Sequence, residues 1–153
     1  MTASNNPRLD RLIPQIGDLC LPCFQRVTLS CQRKFQVPLA VIGLRENRHL
    51  RLYYSSAMQQ RMLLDDALCG LPLAIPGEQI LIEDLETMPE DMKPHLALAL
   101  GLRSYAGVPI FLRGELTGSL SLADHRPRQF IAREIKQLKD LANWTGKLLE
   151  LYL

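Results

Sequence analysis

The chain has 153 residues, with 18 Lys and Arg against 16 Asp and Glu and a net charge of +2. That length suits one domain burying roughly two thirds of its unfolded surface. Charges of both signs spread along the chain give no case for nucleic acid, which calls for a clustered basic face, and no apolar run approaches the roughly 20 residues that span a bilayer.

The polar start, MTASNNPRLDR, lacks the apolar core of a secretion signal. A cytoplasmic protein is therefore expected, with residues 1–7 as a polar tail and its four cysteines reduced. Pro7 opens a helix with Leu9, Leu12, Ile13, Ile16 and Leu19 as its apolar stripe, and Pro14 predicts a kink or a later start. A second helix fits Pro22 to Phe35, where Phe24, Val27, Thr28, Cys31 and Phe35 share a face. Strand patterns at 39–44 and 50–55 flank the polar turn Arg45-Glu46-Asn47-Arg48 and predict a β-hairpin. Residues 59–68 read as a helix ended by Gly70 and Pro72. A short strand follows at 79–82, then a short helix at 92–100 stopped by Gly101.

Residues 104–112 and 116–123 alternate as two strands around the reversal Arg113-Gly114-Glu115. Leu116, Gly118, Leu120 and Leu122 fall on one face, and Thr117, Ser119, Ser121 and Ala123 on the other. The second face has few large side chains, which leaves room for a cavity. The last helix, 131–153, repeats Ile131, Ile135, Leu138, Ala142, Thr145, Leu149 and Tyr152 as a heptad-like seam. Leu141, Leu148 and Leu151 widen it, so one side serves the core and another a partner helix.

Few residues suggest chemistry. Cys20-Leu21-Pro22-Cys23 has the spacing of a redox pair whose thiolate gains from a helix N-terminus, but no strand precedes it. With Cys31 it offers three ligands, one short of a closed metal site, and packing is the favoured role. Cys69 is expected to close a helix, where the negative dipole end raises its pKa. Asp84 follows a strand, to touch a ligand or tie the backbone of its loop, and Asp124 similarly ties the turn through Arg126 to Arg128. The group Arg126, Arg128 and Arg133 reads as a solvated loop and helix start. Arg103 and Tyr105 share one side of their strand. On the cavity side they suit an anionic or aromatic ligand; on the other, Tyr105 packs and Arg103 caps the preceding helix. His49, His95 and His125 are scattered, and no catalytic triad order, phosphate-binding glycine loop or metal-binding helix occurs.

The run Arg103-Ser104-Tyr105-Ala106-Gly107-Val108-Pro109-Ile110, then Gly114, Gly118-Ser119-Leu120-Ser121-Leu122-Ala123-Asp124, Pro127-Arg128 and Phe130 resembles the GAF domain family of small-molecule sensors. Cys69 and Ile82-Glu83-Asp84-Leu85 extend the resemblance, which covers about residues 8 to 153. It implies an α+β, GAF- and PAS-like fold: a mostly antiparallel sheet of five to six strands, terminal helices on one face, a ligand pocket on the other. It implies as ligand-facing residues Tyr105, Arg103, Cys69, Asp84, Ser119 and Ser121, with the cofactor unspecified and no metal.

Bilin-binding relatives use a cysteine where this chain has Met92-Lys93-Pro94-His95, and the cyclic-nucleotide signature of the family is absent. Relatives that reduce free methionine sulfoxide use cysteines around the pocket, and here only Cys69 is placed for it. The resemblance thus implies a single-domain, non-enzymatic sensor or adaptor with no output in cis, homodimeric through its terminal helices and read by a partner protein. A thiol redox protein using Cys20 and Cys23 and a ligand-free docking module are the alternatives.

Overall fold

Seven side chains, Ile13, Ile16, Cys20, Phe24, Val27, Cys31 and Phe35, recur at spacings of three and four, and all are buried. They form one unbroken stripe along α1, Pro7–Phe35. The structure, a computed structural model, describes residues 7–56, 59–63, 68–75 and 79–153. The expected division into two helices does not occur, because α1 continues through both Pro14 and Pro22. Each proline costs about 3 kcal/mol in a helix interior. Each large side chain of the stripe contributes roughly 1.5–3 kcal/mol on burial, so the stripe outweighs the breaks. α1 ends where Gln36 turns left-handed, φ 53°, and Val37 N donates to Gln32 O at 3.1 Å.

Six strands follow: β1 (Leu39–Glu46), β2 (His49–Tyr53), β3 (Gln59–Leu63), β4 (Ile80–Ile82), β5 (Ser104–Leu112) and β6 (Glu115–Asp124). They make one antiparallel sheet in the order β3-β2-β1-β6-β5-β4. The helices α2 (Leu71–Ala74), α3 (His95–Ala99) and α4 (Ala132–Glu150) complete the fold. α1 and α4 cover one face, over Ile42, Leu44, Val108, Ile110 and Leu120. Two smaller apolar clusters lie on the opposite face, beneath the segment from Leu68 to Leu102. This is the α+β arrangement expected, with six strands.

Three local expectations are corrected. Residues 59–63 are a strand, pairing Leu50 with Met62 and Leu52 with Gln60, whereas 64–67 lie outside the described residues. Gln, Arg, Met and Leu are good helix formers, but pairing at the open edge of β2 overrides that weak preference. Leu116 leaves the face of Leu120 and Leu122 and joins Val41, Leu50 and Leu52. The cause is a bulge: Ile110 pairs with Gly118 but Phe111 with Leu116, so Thr117 is the extra residue that reverses the alternation. The helix expected at 92–100 shortens to α3, with Met92 in a preceding 3₁₀ turn and Gly101, φ 84°, ending it.

The seam of α4 serves its own sheet. Leu138, Ala142, Thr145 and Leu149 are buried, while Ile131 and Tyr152 at its two ends are about half exposed. Gly146 permits the close approach, since a Cβ there would lie 2.6 Å from Phe111 O on β5. At the helix start Glu134 accepts from Ile131 N at 3.1 Å and from Arg128 Nη2 at 2.7 Å. Arg128 also lies 4.6 Å above the Phe130 ring, so the loop from β6 into α4 is pinned at both ends.

Candidate ligand-binding site

The alternation of β5 and β6 places Tyr105, Ser119 and Ser121 on the sheet face away from α1 and α4. Gly107 pairs with Ser121, and the Tyr105 ring lies back over Gly107, where a Cβ would overlap the phenol oxygen. The missing side chain lets Tyr105 Oη reach Ser121 Oγ at 2.7 Å. Ser119 Oγ donates to Cys69 O at 2.8 Å and holds the 3₁₀ turn Leu68–Gly70 over the strand. The Cys69 thiol then meets the Ser121 hydroxyl.

Tyr105, Ser121 and Cys69 form the floor of a cavity of about 590 Å³. Its walls are Leu39 and Val41 of β1, Leu52 of β2, Met62 of β3, and Leu68 and Leu102; Lys93, His95, Leu96 and Leu100 line it from the α3 side. Tyr54 and Gln60 are further lining residues, with Tyr54 Oη donating to Gln60 Oε1 at 2.8 Å. Burial pushes the Cys69 thiol up to about 11, against a smaller lowering by the Ser121 hydrogen bond. The Tyr105 phenol is raised well above its ordinary value, first by burial and then by Cys69. Tyr54 is pushed up to about 12, chiefly by burial. At neutral pH the floor is therefore a set of protonated, uncharged hydrogen-bonding groups.

Of the residues selected from sequence, Tyr105, Cys69 and Ser121 line the cavity, and Ser119 supports it through Cys69. Arg103 and Asp84 do not line it. Arg103 sits just before β5 and grips Asp84 with two bonds, Nε to Oδ1 at 3.0 Å and Nη2 to Oδ2 at 2.9 Å. Asp84 also accepts from Glu86 N at 3.1 Å, so it ties its own loop. The Arg103 side chain is thus paired with Asp84, outside the cavity lining and away from the end of the preceding helix. Cys69 does not close a helix either; it lies in the turn before α2, and burial, not a dipole, raises its pKa. Tyr54, Gln60 and Met62 were not foreseen, although reading 59–63 as a strand would have set Gln60 and Met62 beside Leu52 and Leu50.

The Arg103 guanidinium, by its hydrogen bonds, holds the Asp84 carboxyl below its ordinary range. A folded-state pKa below the unfolded one means that the pair's stabilisation is complete above about 3.9 and is lost as pH falls through the folded value. Wild type is expected to exceed Asp84→Asn in melting temperature at neutral pH, with the gap closing only below about pH 4. A gap constant down to strongly acidic pH would show that the pair is not its source.

The remaining cysteines lie on α1, behind the sheet. Cys20 and Cys31 are buried and Cys23 half-buried. Burial pushes Cys31 up to about 12 and raises Cys20, which Cys23 raises further. Pro22 is interior to α1, so the pair has no helix N-terminus to favour a thiolate. Asp124 lies 3.6 Å from Arg126 and 3.9 Å from Arg128, close enough for charge attraction across the turn but not for a hydrogen bond. Among the described residues no group of three metal-ligating side chains occurs, and no helix is long and apolar enough to cross a membrane.

A family model of the GAF domain matches residues 21–149. The chain belongs to the GAF domain family. Solved GAF-like structures share its fold. The type II free methionine-R-sulfoxide reductase from Thermoplasma acidophilum is 18% identical with a TM-score of 0.74, over 90% of this chain and 97% of that one. The free methionine-R-sulfoxide reductase from Neisseria meningitidis, solved with its substrate, is 21% identical at 0.70, over 98% and 93%. The blue-light absorbing form of the Thermosynechococcus elongatus PixJ GAF domain is 16% identical at 0.70, over 86% and 85%. No curated protein matches the sequence. At these identities the likeness is one of fold, and the chemistry of this GAF domain rests on its own residues.

Proposed function

We propose that this GAF domain is a non-enzymatic sensor or adaptor that binds a small molecule in the cavity between the sheet, the turn Leu68–Gly70 and α3. The observation that carries this reading is the cavity of about 590 Å³, with apolar walls and the Tyr105–Ser121 pair at its floor. Such a concave, mostly apolar site with a few convergent polar groups is the usual form of a small-molecule pocket. Cys69 is the one described thiol that lines it, and it is held protonated, which favours binding over thiol chemistry. In this reading the protein is cytoplasmic and homodimeric through its terminal helices, where Leu19 and Trp144 are each more than half exposed. Ligand occupancy changes the helix pair that a signalling partner reads.

Native mass spectrometry of freshly purified protein is expected to record extra non-covalent mass on a dimer, absent from the denatured spectrum. Tyr105→Ala is expected to lose that mass while keeping its far-ultraviolet circular dichroism. Bare wild-type chains would remove the ligand reading and leave a docking module, and a Tyr105→Ala variant that retains the mass would remove Tyr105 from the site.

A further inference from the structure

The electrostatics of the cavity narrow its ligand further than volume does. The floor offers Tyr105, Ser121 and Cys69, all uncharged at neutral pH. Arg103, the nearest cation in sequence, is engaged by both oxygens of Asp84 and does not line the cavity. Lys93 does line it, but lies 3.1 Å from Glu90 and 3.7 Å from Glu86, so that trio carries a net negative charge. His95, also in the lining, is exposed. An anion at the floor of this site would lose its water and meet no cation there, and Lys93, on the α3 side, is already paired with Glu86 and Glu90.

The other end of the site is open, with Leu96 and Leu100 beside Lys93 and His95. Leu96 and Leu100 both line the cavity, yet are 54% and 66% exposed. Two leucines left this open can be covered by hydrocarbon extending from inside. The lining thus runs from hydroxyl groups at the floor, past aliphatic walls and the Tyr54–Gln60 pair, to Leu96 and Leu100 beside Lys93 and His95 at the mouth.

We propose that the cavity takes an uncharged amphiphile, with a neutral hydrogen-bonding head against Tyr105 and Ser121 and a hydrocarbon body directed toward Leu96 and Leu100. This deepens the ligand-binding reading above and rests on it. Tyr105 and Ser121 spend one hydroxyl proton on each other and the Ser121 hydroxyl also meets the Cys69 thiol, so the trio keeps one free proton, with its remaining lone pairs, for the head group. A carboxylate or phosphate in the same place would lack a countercharge.

The test uses the uncharged fluorophore N-phenyl-naphthylamine as reporter, displaced by decanol or by decanoate at neutral pH. These displacers share their chain length and differ in head-group charge. Decanol is expected to displace the reporter at a concentration roughly tenfold lower than decanoate. Because decanol is also the more hydrophobic, the decisive comparison is with the double variant Tyr105→Phe/Ser121→Ala. Removing both partners together leaves no orphaned hydroxyl, only the weakly polar Cys69 thiol that met Ser121, and should preserve the fold. There decanol is expected to weaken roughly tenfold and decanoate to change little. Decanoate displacing as well as decanol from wild type, or decanol unaffected by the double variant, would overturn the ligand class. Ala123→Phe in the cavity face and Ala97→Phe on α3 separately test the location, since each puts a ring into the space. Reporter fluorescence unchanged in either variant, with its fold intact, would overturn cavity binding itself.

Discussion

Phe24→Ala is expected to lower the unfolding free energy by about 3–5 kcal/mol, the largest loss from any single truncation on α1. Phe24 is fully buried at the middle of the stripe that carries α1 across its two prolines. Its ring meets Tyr53 of β2 at a centroid distance of 5.0 Å and a tilt of 56°, an aromatic contact that adds to the burial. Tyr53 cannot move in to fill the space without giving up its own seat over Gly17, where a Cβ would overlap its hydroxyl. The void therefore persists, and the cavity cost adds to the lost transfer energy. Urea denaturation at unchanged m-value reads the result. A loss under about 1 kcal/mol would mean that α1 repacks freely over the sheet. Because Phe24 and the ligand cavity are on opposite faces, reporter binding by the folded fraction should be unaffected.

Gly118→Ala is expected to destabilise by about 2–4 kcal/mol through overpacking and lost strand hydrogen bonds. Gly118 lies on β6 opposite Leu44 of β1, in the central pairing of the sheet. A Cβ there would overlap the carbonyl oxygen of Gly43 and come 3.0 Å from Leu44 Cδ2. A backbone oxygen cannot rotate aside as a side chain can, so the strands must separate. Gly43→Ala is the control, because its nearest neighbour is a movable methyl, Leu52 Cδ2 at 3.3 Å. That variant should lose no more than about 1 kcal/mol, and equal losses would show that backbone contact is not the cause.

Much of this was legible from local periodicity. The β1–β2 and β5–β6 hairpins, most of the α1 stripe and the alternation of β6 from Gly118 onward follow from spacing alone, though Leu19, counted in the stripe, is exposed and Cys20 takes its place; that alternation set Ser119 and Ser121 on the cavity side. What was not legible depends on partners distant in sequence. β3 is a strand only because β2 presents an open edge, and its residues by themselves favour helix. The prolines looked like breaks because their local cost is visible and the burial that offsets it is not. Arg103 read as a candidate ligand contact, since nothing nearby in the sequence announces that Asp84 returns to meet it. The bulge at Thr117 likewise needs the β5 register before Leu116 can be assigned a face.

The strand order also dictates how the molecule can be made. The two middle strands, β1 and β6, pair residues 39–44 with residues 118–123, almost the first and last of the sheet. During synthesis β1 can join β2 and β3 as a meander, but its inner edge stays open until β6 has left the ribosome. For that interval the apolar stripe of α1 has only half its platform, and the nascent chain exposes an unpaired strand edge flanked by greasy surface. Closing the centre last makes completion of the sheet a long-range event, slower than any of the hairpins that prepare it. It also makes the interval before closure the time at which a chaperone has most to hold.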